Sequence, residues 1–338
     1  MIDYSTRRRP ANRGSPVGRM TAKLAGRGVA LLSFMTRASA VKATSVLLAG
    51  WLSFALDALA QGDSNHRVGK HFDHVVVVVL ENQGASQALS DPNIAAIVGQ
   101  SAWFSNYHAL AHPSLPNYLA LVAGSTFGLS RDHVDTPLEA QSIVDRLEQK
   151  KLSWKAYAED FPGSCFLHSE AGKGYLTPKA SPTALYTKRH VPLLSFASVQ
   201  KDPHRCARVV NAREFTRDAK AGQLPNYAFY SPNLFNDGHD TSLERSAIWL
   251  RDFVQALRNT TAMRQRTLLA VVWDEGGGED ERSNRVLAMV LGDVVKPGRY
   301  SMRLTHYSLL RTIEDNFGLL PVANGDANAT PLPDEIWR

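Results

Sequence analysis

Residues 75–82 read Val-Val-Val-Val-Val-Leu-Glu-Asn. A short, unbroken, β-branched run of this kind does not alternate between a wet and a dry face. Both of its faces must be covered, as in a central strand of a parallel sheet. Residues 268–273 (LLAVVW) repeat the pattern and end in Asp274-Glu275, followed by Gly276, Gly277 and Gly278. A third such run spans residues 286–291 (VLAMVL), and weaker strand candidates lie at 153–157 and 227–230. Helical periodicity occupies about 115–123, 139–150, 245–258 and 306–317. Strands alternating with helices predict an α/β fold with a mostly parallel sheet and helices on both faces.

The chain has 338 residues, 44% hydrophobic and 21% charged, which describes a folded protein with ample material for a core. Its net charge of +6 comes from one end. Residues 1–60 hold nine Lys/Arg and two acids, leaving 29 basic and 30 acidic residues from position 61 on. The body therefore lacks the basic excess of a nucleic-acid-binding surface. Within the basic segment, residues 45–56 (SVLLAGWLSFAL) are apolar and precede Ala58-Leu59-Ala60. A positive region, a short apolar region and a small-x-small site predict a secretory signal cleaved near Ala60. The apolar run is too short to span a membrane with ease. The expected organisation is thus a targeting segment at 1–60 and one domain at 61–338. That domain carries a Pro/Ser/Gly/His-rich, irregular insertion at about 161–205. The expected location is the periplasm or the medium. The two cysteines, Cys165 and Cys206, bracket this insertion, and in an exported protein an even pair predicts a disulfide.

In open parallel sheets, ligands bind beyond the carboxyl ends of the strands. Glu81-Asn82 and Asp274-Glu275 each end a strongly apolar strand and offer oxygen ligands suited to a hard or borderline divalent cation. Ser114 opens the helical stretch SLPNYLALVA. A serine there could simply cap the helix, which is the simpler reading of the spacing. It could also be a nucleophile for a phosphorus held by the free N–H groups of the first turn, with Asn117 bonding a phosphate oxygen. Of the 11 histidines, His112 lies two residues before Ser114, His239 sits in Asn236-Asp237-Gly238-His239-Asp240, and His190 in Tyr186-Thr187-Lys188-Arg189-His190. Imidazoles in such places could stabilise phosphoryl oxygens or protonate a leaving alkoxide. His71 and His74 precede the first strand, at its wrong end for a site.

The segments VVVVVLEN, AHPSLPNYLALVAG, YTKRHVP, SPNLFNDGHD, VVWDEGG and THYSLLRTIEDNFGL, in that order, resemble the bacterial secreted acid phosphatase and phospholipase C phosphoesterase family. The small acid phosphatases, some of which act on phosphoinositides, are the nearest branch. The resemblance covers roughly residues 70–320. It implies an alkaline-phosphatase-like core and one divalent metal ion held by Glu81, Asn82, Ser114, Asp274 and Glu275, with Ser114 as nucleophile. It also implies phosphate-contacting or acid/base roles for His190 and His239, and for His112. His306 matches a family motif without an assigned role, and Asp237 and Asp240 flank His239 as its orienting groups. The implied substrate is a phosphate monoester, either a small molecule or a phosphoinositide head group. A phospholipase C-type phosphodiesterase and a non-catalytic exported binding protein of the same fold are the alternatives.

Overall fold

The computed structural model describes residues 67–171 and 185–338. The predicted targeting segment, with its cleavage site, lies outside them, as do residues 172–184 of the expected insertion.

Eight strands among the described residues form one sheet: β1 (His74–Leu80), β2 (Ala102–Phe104), β3 (Trp154–Ala158), β4 (Val209–Asn211), β5 (Tyr227–Ser231), β6 (Thr267–Trp273), β7 (Ala288–Leu291) and β8 (Gly298–Tyr300). Their spatial order is β8-β2-β7-β6-β1-β5-β3-β4. The valine run is the central strand, parallel to β6 on one side and to β5 on the other, with Val76 level with Leu269 and Ala228. Residues 75–80 are buried throughout, so the β-branched side chains that favour the pleat also fill the layers above and below it. Each such valine contributes about 1.5 kcal/mol or more of burial.

The third apolar run forms a strand, β7, but it runs antiparallel to β6, and it alone breaks the common direction of the sheet. The chain returns from β6 through the short segment 274–287, which has no room for the crossover that a parallel neighbour needs. Strands β2, β4 and β8 went unpredicted because each has three residues, too few to show a period. The predicted helices correspond to Ser114–Ala123, Ile143–Gln149, Leu243–Arg258 and His306–Phe317. Helices Ala85–Ser90, Pro92–Val98 and Arg213–Ala221 add to them.

The Ser114–Ala123 helix is buried at every position, packed against the His306–Phe317 helix and the 3-10 turns Lys188–His190 and Pro192–Ser195. Its apolar residues cover the whole circumference, as that location requires. Gly124 ends it at φ 61°, and a Cβ there would strike Asp326 Oδ1. Cys165 and Cys206 are joined by a disulfide with Cα atoms 5.3 Å apart, inside the ordinary range. The described parts of 161–205 are less irregular than expected. They hold a small ladder pairing Glu170–Ala171 with Tyr186–Thr187, two 3-10 turns and two one-turn helices. No helix of the described residues is long and apolar enough to cross a membrane.

Candidate active site

Three neighbouring strands, β6, β1 and β5, deliver their carboxyl ends to one place. Backbone bonds lock the ends together: Asp274 N donates to Leu80 O at 2.9 Å and Glu81 N donates to Asp237 O at 3.0 Å. Asn82 turns left-handed at φ 49°, and its N–H donates to Asp274 Oδ1 at 3.0 Å. Glu81, Asp274 and Asp237 are all wholly buried there.

Ser114 reaches the same point from the helix, but not as its cap. The structure corrects that reading. Pro113 holds the cap position, Ser114 is the first helical residue, and its Oγ donates to Glu81 Oε2 at 3.0 Å. One turn on, the Tyr118 hydroxyl donates to Glu81 Oε1. The spacing of four puts both hydroxyls on the helix face that meets the carboxylate. The first turn is also less open to an anion than its sequence implied. Leu115 N donates to Asp132 Oδ1 at 3.0 Å, and Pro116 has no N–H. Asn117 is equally committed. Its Oδ1 accepts from Leu110 N and Ala111 N, and its Nδ2 donates to Ala111 O, so its amide shapes the approach to Ser114 and is not free for phosphate.

His190 lies fully buried between two of the acids, with Nε2 3.2 Å from Glu81 Oε1 and Nδ1 3.3 Å from Asp237 Oδ2. Neither contact has hydrogen-bond alignment. The ring stacks on Tyr118, centroids 5.0 Å apart and planes 3° from parallel. Burial pushes its pKa well below the ordinary histidine value. His239 is about one-third exposed at 32%. Its N–H donates to Asp237 Oδ1 at 2.9 Å, and its Nδ1 lies 2.6 Å from Asp240 Oδ1. His112 has both ring nitrogens engaged, Nδ1 with Glu275 Oε2 at 2.8 Å and Nε2 with Glu281 O at 3.3 Å. His306 is buried and braces the strand end from behind, with Nε2 2.7 Å from Asp274 O. Burial drives its pKa down to about 4.

The electrostatics are those of crowded acids short of countercharge. Burial raises the Glu81 carboxyl well above its ordinary value, reinforced by Asp274 and Asp237 and opposed by the Tyr118 and Ser114 hydroxyls. Burial likewise lifts Asp274 to about 6 and Asp237 to about 7. Glu275 rises to about 8, through burial and then the charge of Asp274. Three oxygens, Asn82 Oδ1, Asp274 Oδ2 and Asp237 Oδ2, are buried without a hydrogen-bond partner. Among the described residues no group of three or more His, Cys, Asp and Glu side chains forms a ready cage for a metal ion. The stranded oxygens here include an amide, and a serine hydroxyl stands beside them.

Sequence reasoning placed Glu81, Asn82, Ser114, Asp274, His190 and His239 in this neighbourhood, with Glu275 and His112 paired beside it. It missed Tyr118 and took Asp237 for a flanking residue only. The signal for Tyr118 was its i+4 spacing from Ser114. That for Asp237 was its place in the loop after β5, a direct neighbour of β1.

A family model described as "Phosphoesterase family" matches residues 87–320. The chain belongs to the phosphoesterase family. It is 33% identical to a "Probable acid phosphatase" of Kluyveromyces lactis, over 78% of this chain and 62% of that one. It is 31% identical to an "Acid phosphatase" of Aspergillus fumigatus, over 78% of this chain and 59% of that one. This member thus spans about three-fifths of the length of these fungal relatives. With a "Phosphatidylinositol-3-phosphatase" of Mycobacterium tuberculosis it shares 32% identity over 92% of this chain and 99% of the other. Among solved structures, an alkaline phosphatase superfamily protein from Vibrio parahaemolyticus superposes with a TM-score of 0.52 at 13% identity, covering 78% of this chain and 71% of that one. A phosphonate monoester hydrolase from Silicibacter pomeroyi gives 0.51 at 12% identity, covering 79% and 78%. At such identities the likeness is one of fold: the phosphoesterase described here has an alkaline-phosphatase-like α/β core.

Proposed function

We propose that the protein is an exported phosphomonoesterase whose nucleophile is Ser114 and whose site holds one divalent cation. The observation that carries this reading is the Ser114 hydroxyl 3.0 Å from Glu81 in a nest of buried acids at the ends of three strands. A capping serine would bond its own helix, and this one does not. The fungal and mycobacterial relatives bear phosphatase names, which supports a phosphate ester as substrate.

The residues fit a cation. Buried oxygens without partners, beside carboxyls that repel one another, are what a hard divalent ion would satisfy. Glu81, Asn82, Ser114, Asp274 and Glu275 would hold it. When bound, such an ion offsets the acid charge and lowers the pKa of a coordinated hydroxyl.

The side chains then divide the work. Ser114 Oγ passes its proton to Glu81 Oε2, to which it already donates, and attacks phosphorus, forming the Oγ–P bond as the bond to the substrate alcohol breaks. His239 would give the departing alkoxide its proton; that Asp240 engages Nδ1 and leaves Nε2 free, on a partly exposed ring, supports the role. His190 is too enclosed to meet a leaving group and serves instead to hold Glu81 and Asp237 apart. Water, giving one proton to His239, would cleave the phosphoserine, and Glu81 would return the other proton to Ser114 Oγ. The mycobacterial relative's name makes a phosphoinositide head group the first substrate to try.

Turnover of nitrophenyl phosphate, with and without chelator, tests the reading against nitrophenyl phosphorylcholine as the diester. Preferred hydrolysis of the diester would shift the assignment to a phosphodiesterase, and inactivity on both would leave a binding protein. Acid quench during turnover should place phosphate on the peptide holding Ser114. Export is tested by N-terminal sequencing of protein recovered outside the cytoplasm, which should begin near Gln61.

A further inference from the structure

Glu159 follows β3 directly and belongs to none of the groups assigned above. Its carboxylate is a four-way junction. Oε2 accepts from Asn233 N at 3.1 Å and from Asn236 Nδ2 at 2.6 Å, both in the loop after β5. Oε1 accepts from the Tyr230 hydroxyl at 3.1 Å and from Trp249 Nε1 at 3.0 Å, groups on β5 and on the Leu243–Arg258 helix. Its own N–H donates to Ser231 O at 3.0 Å, fixing the backbone beneath it. Asn233 passes the constraint on. Its carbonyl accepts from Asp237 N at 2.9 Å, and its Oδ1 accepts from Phe235 N and Asn236 N. Asp237 in turn accepts Glu81 N on its carbonyl and presents Oδ2 to His190. A continuous path of directed bonds therefore runs from Glu159 to the buried acids. Burial raises the Glu159 carboxyl above its ordinary value, and the four donors oppose that rise.

We propose that Glu159 is a positioning residue, whose carboxylate anchors the 233–237 turn and so holds Asp237 against His190 and Glu81. The inference rests on the site described above but not on which ester is cleaved. Four donors converge on one carboxylate that accepts from all of them. A carboxamide of the same shape could keep the turn pair by facing its NH2 group toward the helix side, where the Tyr230 hydroxyl can turn to accept, so removing the carboxyl altogether is the change that frees the turn. The junction also joins two kinds of element, a strand and helix on one side and the turn on the other. Breaking the turn side alone should disturb the site, and breaking the helix side alone should not.

The experiment uses the whole chain with nitrophenyl phosphate and five variants: Glu159→Ala, Asn236→Ala, Trp249→Phe, Asp237→Asn and the double variant Glu159→Ala/Asp237→Asn. Glu159→Ala should lower kcat by up to about 10²-fold with little change in KM, the scale expected for a misplacement near 1 Å. Asn236→Ala should show a smaller loss of the same kind, and Trp249→Phe should stay close to wild type. The double variant should be no slower than Asp237→Asn alone, because residues acting through one another are not additive. The His190 ring resonances should move in Glu159→Ala and Asn236→Ala and stay in place in Trp249→Phe. That readout holds whether or not nitrophenyl phosphate is a substrate, so failure of the activity reading is seen separately. Wild-type kcat and an unmoved His190 signal in Glu159→Ala, or losses that multiply in the double variant, would overturn the proposal. Should Glu159→Ala fail to fold, the contrast between Asn236→Ala and Trp249→Phe decides the same question.

Discussion

Among the described residues, two places that bury carboxyl groups against one another are built for different ends. At the C-terminal clasp, Glu314 and Asp326 both accept the single N–H of Val322, at 3.2 and 2.6 Å, and Asp326 also takes Ala323 N. Glu314 Oε2 has no partner, and burial together with Asp326 raises Glu314 to about 9. At the strand ends, Glu81, Asp237 and Asp274 are also raised, with two stranded oxygens among them. A perturbed carboxyl is therefore not itself the mark of a site. The clasp joins residues 12 apart in sequence and closes on a loop of its own segment, so a shared proton meets its need. The strand-end acids lie beyond the ends of three separate strands and meet a serine hydroxyl and a histidine. A proton each could quiet them as well, but the convergence would then serve nothing. A third arrangement sets the scale. Asp218 receives Lys155 Nζ at 2.7 Å and the Tyr157 hydroxyl at 2.9 Å, and its pKa is lowered despite burial.

The sharpest way to break the contrast is Ser114. Because Ser114 caps nothing, Ser114→Ala and Ser114→Gly should both stay folded, losing the hydrogen bond to Glu81 at about 1–3 kcal/mol. Their kcat should fall by about 10⁴–10⁶-fold, the scale of removing a nucleophile. Substitutions of Glu314 should leave kcat near wild type. An active Ser114→Gly protein would remove the chemical distinction between the two nests.

Asp274 gives the next largest effect. Asp274→Ala should lower kcat by more than about 10²-fold, beyond the 10–100-fold of a merely supporting contact at a metal. Metal content after dialysis, compared with wild type, is the accompanying measurement. Retained metal and activity would put the cation elsewhere.

The cation itself should act on one nest only. At 100 times its Kd, a divalent ion that binds the folded chain alone should stabilise it by about 2.7 kcal/mol, read as a rise in Tm over the chelated protein. Glu314→Gln should show the same rise, and Asp274→Ala should show none. A rise abolished by Glu314→Gln would move the binding site to the clasp.

How much of this could be read in advance follows from what each residue needs. The central strands announced themselves because a strand covered on both faces has no polar positions to spare. Their terminal Glu81-Asn82 and Asp274-Glu275 pairs stood out for the same reason. The edge strands β4 and β8 need only a few residues to pair and left no pattern. Spacing alone made a cap the simpler reading of Ser114, because its partner Glu81 is 33 residues away and helix signals are local. Asn117 was misread for the opposite reason, since the bonds that consume its amide run to the turn at 110–113, which has no periodicity of its own. The clasp was invisible, because nothing in the tail after Leu320 marks Asp326 as facing Glu314.

The smallest effect concerns that clasp. Glu314 holds its proton to about 9 in the folded chain, against an ordinary value of 4.5. Between those values the unfolded chain has released a proton that the folded chain keeps, so this group's contribution to stability falls as pH rises across that interval. Below 4.5 the contribution is fully present, and above about 9 no further loss occurs. Glutamine has the shape of the protonated acid and can offer Asp326 a hydrogen bond from its NH2 group, so Glu314→Gln should cost little at acid pH. As pH rises the variant should lose less stability than wild type, and the two denaturation curves should cross or converge toward alkaline pH. Chemical denaturation of both proteins at a series of pH values, with chelator present so that the strand-end site contributes alike to each, measures this directly. Parallel pH profiles for wild type and Glu314→Gln would show that Glu314 is ionised in the folded chain. The clasp would then join Asp218 as a carboxylate with its charge compensated, and the strand ends would stand apart from both as a nest of acids under strain.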